Sequence, residues 1–119
     1  MIRRVYIAGP MRGYPNFNFA AFFSAEKELK EEGFDLIFNP ARKDEEDYGK
    51  DFAKGNLDGN LEQLTEETGF NLREALAIDL DWICKYATHI YMLPGWEKSA
   101  GATAERATAI ALGIEVMEA

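Results

Sequence analysis

Three short apolar runs, each closed by proline or glycine and separated by stretches with helical spacing, constrain this chain most. RRVYIA (residues 3–8) stops at Gly9-Pro10, FDLIFNP (34–40) stops at Asn39-Pro40, and THIYMLPG (88–95) stops at Pro94-Gly95. Runs of this length bounded by turn residues read as buried strands. Between and after them the period changes. From about Asn18 to Glu32, Phe19, Phe22, Phe23, Ala25, Glu26 and Leu29 recur at three- and four-residue spacing until Gly33. Residues 71–86, NLREALAIDLDWICKY, do so through Leu72, Leu76, Leu80, Ile83 and Cys84; a third helix runs from Ser99 to Leu112, and IEVM forms a last strand. Strands alternating with helices predict an α/β protein, a parallel sheet of about four to five strands covered on both faces.

The length of 119 residues suits one domain, 1–119, with a single core. Residues 41–69 break the pattern. They carry glycines at 49, 55, 59 and 69, and from 43 to 69 nine acids against three lysines, which accounts for −6 of the net charge of −8. This stretch reads as an acidic excursion, a solvated loop with a short helix. Its acid spacing fails the calcium-loop pattern, so no metal is expected. An acidic chain repels long nucleic acids, so a polymer partner is not expected, while a few fixed donors can still hold a small anion. No apolar run approaches the ~20 residues a membrane span requires. The single cysteine, Cys84, reads as a small buried hydrophobe and fits a reducing cytoplasm.

In an open parallel sheet, ligands gather where the carboxyl ends of strands meet the helix starts. That edge carries Gly9, Pro10, Met11 and Arg12 after the first strand and Pro94 to Gly101 after the third. Ser99 is a helix cap, and the N–H groups after it can receive an anion. Glu105 lies four residues beyond Gly101, about one ~5.4 Å turn deeper on the same face. A phosphate at the helix mouth would put its sugar beside this carboxylate, which could attack an anomeric carbon. Alternatively, Glu105 is exposed and pairs with Arg106. Asp79 falls beside an apolar stripe, where a carboxylate is costly unless bonded; it either meets a ligand or tyrosine or reaches water at the rim, and Asp81 points to solvent. Tyr6 either bonds a carboxylate across the cleft or packs. Arg12 either meets a phosphate or lies free on the surface. His89 reads as structural.

Together VYIAGPMRG, DLDWI and SAGATAE followed by ALG resemble the nucleoside 2-deoxyribosyltransferase superfamily. Within it the chain is most similar to small phage and bacterial members beginning YIAGPM, and to the 2'-deoxynucleoside 5'-phosphate N-hydrolases. The likeness covers nearly the whole chain outside 41–69. It implies a flavodoxin-like, three-layer fold, N-glycosidic cleavage through Glu105 as nucleophile, Asp79 contacting the sugar and assisting the departing base, and Tyr6 orienting Glu105. Transferases of free nucleosides have an aspartate six residues before the glutamate, whereas the monophosphate hydrolases have a serine; here it is Ser99. Arg12 matches an arginine near the hydrolase phosphate, while Pro10 departs from a serine there. The expected activity is hydrolysis of a deoxynucleoside 5'-monophosphate, without metal or cofactor. The alternatives are deoxyribosyl transfer between bases, or a nucleotide-binding sensor without catalysis. A homodimer or larger homo-oligomer is implied by the same resemblance.

Overall fold

A computed structural model describes residues 1–119. Four strands, β1 (Arg4–Ala8), β2 (Leu36–Phe38), β3 (His89–Met92) and β4 (Glu115–Glu118), form one sheet in the order β2-β1-β3-β4, with every pairing parallel. This is the start of the flavodoxin-like order, with its switch point between β1 and β3. The helices are α1 (Phe19–Glu31), α2 (Pro40–Tyr48), α3 (Leu61–Thr68), α4 (Leu72–Tyr86) and α5 (Ala100–Ala111).

Alternation along β1 divides the core. Val5 and Ile7 face one side, where they pack with Phe22, Leu29 and Leu64 from α1 and α3. Tyr6 and Ala8 face the other, with Ile83 of α4 and Ala102 and Ala109 of α5. The result is a three-layer α/β/α arrangement. Small residues on α5, Ala102 and Ala109, let its backbone lie close to the sheet, with the Glu105 side chain between them.

Two expectations fail. Residues 41–69 are not a solvated loop: Phe52, Ala53 and Leu64 are buried in the main core, and the stretch contains most of α2 and all of α3. Asn39-Pro40, which reads as a strand stop, is also a helix start. The Asn39 side chain accepts from the N–H groups of Ala41 and Arg42, and Pro40 sits at the first turn, where its missing N–H costs nothing. Asn60 likewise caps α3 by accepting from Gln63 at 2.9 Å. Cys84, in turn, is exposed. The inward stripe of α4 runs through Ala75, Leu76, Asp79, Leu80 and Ile83, and the next residue is rotated about 100° away from it.

The excursion is bolted to the turn after β1. The Gly13 N–H donates to Gly59 O at 3.0 Å, the Asn16 N–H to Asn56 O at 2.8 Å, and the Gly55 N–H to the Asn16 side chain at 3.0 Å. A Cβ on Gly59 would lie 2.5 Å from the backbone of Gly13 and Tyr14, so this approach requires glycine. Three successive residues of that turn, Asn16, Phe17 and Asn18, have left-handed φ of 51°, 54° and 61°. Such backbone costs about 1 kcal/mol or more per non-glycine residue. Burial of Phe17, together with the bonds from Asn16 and from Asn18 to Pro10 O, offsets it.

Candidate active site

At the carboxyl edge of β1 and β3 lies a cleft of about 510 Å³, within the ~300–1,000 Å³ of small-molecule sites. Its floor is Tyr6 and Glu105. Tyr6 is fully buried in the middle of β1, its ring stacked on Phe38 at 5.3 Å and tilted against Trp82 at 6.4 Å. Its hydroxyl donates to Glu105 Oε2 at 2.6 Å. Glu105 is only 6% exposed and faces the sheet from α5, between Ala102 and Ala109, so it does not pair with Arg106 at the surface. Arg106 instead lies over the Trp96 ring at 4.6 Å.

Asp79 projects into the same cleft from α4. Burial pushes Glu105 up to about 8, with the Asp79 charge adding to it and the Tyr6 hydroxyl pulling the other way. Burial likewise pushes Asp79 up to about 7, opposed by Tyr6 and by Lys43. Tyr6 itself is raised well above the usual phenol range by burial and then by the two carboxylates, so it remains a proton donor. Its single proton goes to Glu105, the partner at hydrogen-bond distance. Two desolvated carboxylates that repel each other retain a proton between them near neutrality, and the hydroxyl favours the ionised form of Glu105. One ionised and one protonated carboxyl facing a cleft can act as a nucleophile or base and an acid.

The mouth is polarised the opposite way. Ser99 caps α5 by accepting from the Ala102 N–H at 3.1 Å, which leaves its own O–H free to donate. The N–H groups of Ala100 and Gly101 find no acceptor within the chain. Arg12 and Lys98 line the same mouth, and neither forms an ion pair. Backbone donors, a helix N-terminus and two cations together suit an anion.

Glycines 9 and 101 both line the cleft but have different reasons to be glycine. A Cβ on Gly9 would meet Leu93 Cβ at 2.7 Å, so that position is fixed by packing. A Cβ on Gly101 would meet no protein atom within 4 Å and would stand in the cleft itself. Pro10 is buried and Met11 half-buried at the rim. Asp81 is exposed and bonded to Lys85 at 3.1 Å, away from the site. His89 ties strands together, with Nε2 3.2 Å from Glu115 and its ring edge-on to Phe34.

Sequence reading missed one whole wall. Phe52, Leu61 and Leu64 of the excursion and Phe70 just after it, with Asp44 of α2, line the same cleft as Ser99 and Glu105. Their signal was the capping pattern: Asn39-Pro40 and Asn60-x-x-Gln63 mark helix starts, and helices this short need a packed face to persist. No helix is long and apolar enough to cross a membrane. No curated protein and no solved structure matches the chain. One family model, described as a domain of unknown function (DUF4406), matches residues 3–118, and the chain belongs to that family.

Proposed function

We propose that this protein cleaves the N-glycosidic bond of a 2'-deoxyribonucleoside 5'-monophosphate, giving free base and deoxyribose 5-phosphate. The observation that carries the reading is the buried Glu105, held by Tyr6 at 2.6 Å, one helical turn inside an α5 N-terminus with free backbone donors. The phosphate binds at Ser99, Ala100 and Gly101 with Arg12 and Lys98 beside it. The pentose then lies over Glu105.

The shared proton rests on Glu105, pushed up to about 8 against about 7 for Asp79, and passes to Asp79 before attack. Ionised Glu105 then attacks C1', forming an ester as the C1'–N bond breaks and its electron pair leaves with the base. Asp79 gives the base its proton. Water then attacks C1', Asp79 takes back a proton, and the ester breaks to restore the Glu105 carboxylate. Tyr6 is the positioning residue, because its hydroxyl fixes one carboxylate oxygen and its ring is held in a three-ring cluster with Phe38 and Trp82. The chemistry requires neither metal nor cofactor.

Free base released from a panel of deoxynucleoside monophosphates, read by chromatography, tests the proposal. Release is expected from the wild type and absent in Glu105→Ala; equal release from both proteins removes the nucleophile. Adding a second base separates hydrolysis from transfer, since transfer yields an exchanged nucleotide.

A further inference from the structure

Asp44 has no part in the chemistry above, yet it is a half-buried carboxylate facing the same cleft. It stands one turn after Pro40 on α2, both residues lining the cavity. Its neighbours are committed elsewhere. Lys43 bonds Asp47 at 2.6 Å, and Arg42 holds Glu26 through Nε at 2.6 and 2.9 Å, leaving Asp44 with neither hydrogen bond nor ion pair. Burial pushes its carboxyl up to about 7, with the Asp79 charge adding to the effect. A half-buried carboxylate without protein donors loses part of its hydration, a cost that a hydrophobic residue at this position would not carry.

Its placement is rigid. The Asn39 cap, the fully buried Ala41 and the Arg42–Glu26 pair fix α2 against α1, where Asn39 Nδ2 also donates to Phe22 O at 3.3 Å. Asp79, Glu105 and Asp44 all line the one cleft, from α4, α5 and α2, and Asp79 acts electrostatically on both of the others. A nucleotide with phosphate at Ser99 and sugar at Glu105 has the remainder of the same cleft, with Asp79 and Asp44 on its walls, for its base. There Phe19 and Phe52, stacked at 6.2 Å, and Phe70 supply apolar and aromatic surface suited to a planar ring.

We infer that Asp44 is the base-reading residue of this cleft and selects nucleobases carrying an exocyclic amino group. The inference rests on the nucleotide reading above. An amino group is a pure donor and satisfies a carboxylate oxygen; a carbonyl in the same place sets acceptor against acceptor. Sites built around a buried polar group discriminate strongly against ligands that leave it unpaired.

Calorimetric binding at pH 8, where Asp44 is mostly ionised, tests this without requiring turnover. Two nucleotide pairs serve: dGMP with dIMP, which differ by one amino group, and dCMP with dUMP, which exchange amino for carbonyl. In at least one pair the amino nucleotide is expected to bind roughly tenfold more tightly or better, and Asp44→Asn should bring that ratio within about threefold, because an amide can offer either donor or acceptor. No preference in the wild type, or a preference that survives Asp44→Asn, overturns the inference while leaving the Glu105 chemistry standing. Failure of every nucleotide to bind overturns both. The wild-type comparison holds even if the variant folds poorly.

Discussion

Tyr6 and Glu105 stand 99 positions apart in the chain and are joined by one hydrogen bond of 2.6 Å in the buried floor of the cleft. One comes from the first strand and the other from the last helix, so the site exists only when the whole sheet is assembled. The bond also sets the charge of the site. Burial and Asp79 both favour protonated Glu105, and the tyrosine hydroxyl is the group that opposes them.

Tyr6→Phe removes that opposition with almost no change of volume. The Glu105 carboxyl should titrate at still higher pH, and base release should fall roughly 10- to 100-fold through kcat more than KM. A pH–rate profile shifted upward, alongside an unchanged circular dichroism spectrum, is the expected signature. An unmoved profile would mean that Tyr6 only packs.

The same burial makes stability depend on pH. A carboxyl raised from 4.5 to about 8 binds more protons folded than unfolded, so the fold loses stability as pH rises through that window. Glu105→Gln removes the titration. It should be more stable than the wild type at pH 8, by about 1–2 kcal/mol, with the gap closing towards pH 5. Urea melts at both pH values measure it, and a constant difference would contradict the assignment.

Paired glycine substitutions separate packing from binding. Gly9→Ala drives a methyl group into Leu93 and should cost about 1–3 kcal/mol in a thermal melt. Gly101→Ala meets no protein atom and should hold or gain stability by up to about 1 kcal/mol, through helix propensity. Its methyl group would nevertheless occupy the mouth of the cleft, so nucleotide affinity should drop severalfold. Unchanged affinity in Gly101→Ala would argue against phosphate entry at this point.

Ser99→Asp keeps a competent helix cap but replaces a donor with a negative charge. Melting temperature should barely move. The preference for a 5'-monophosphate over the free nucleoside should fall by roughly tenfold or more, since the carboxylate both repels phosphate and occupies the helix N-terminus. Steady-state kinetics on the two substrates would show it, and an unaltered preference would place the anion elsewhere.

The sequence by itself determined the parallel α/β architecture, because apolar runs closed at Gly9-Pro10 and Pro94-Gly95 and stripes such as Phe19-Phe22-Leu29 are local patterns with one compatible geometry. It also marked Glu105 as unusual among alanines and glycines. Tertiary structure alone decided that Glu105 is buried rather than paired with Arg106, that Cys84 points outward, and that residues 41–69 form a wall carrying Phe52, Leu64 and Asp44. Those outcomes depend on contacts between distant segments, such as Gly59 against Gly13 and Arg42 against Glu26. An acidic, glycine-rich stretch has no local period that announces such docking; Phe52, Ala53 and Leu64 are buried because the rest of the core offers them a surface.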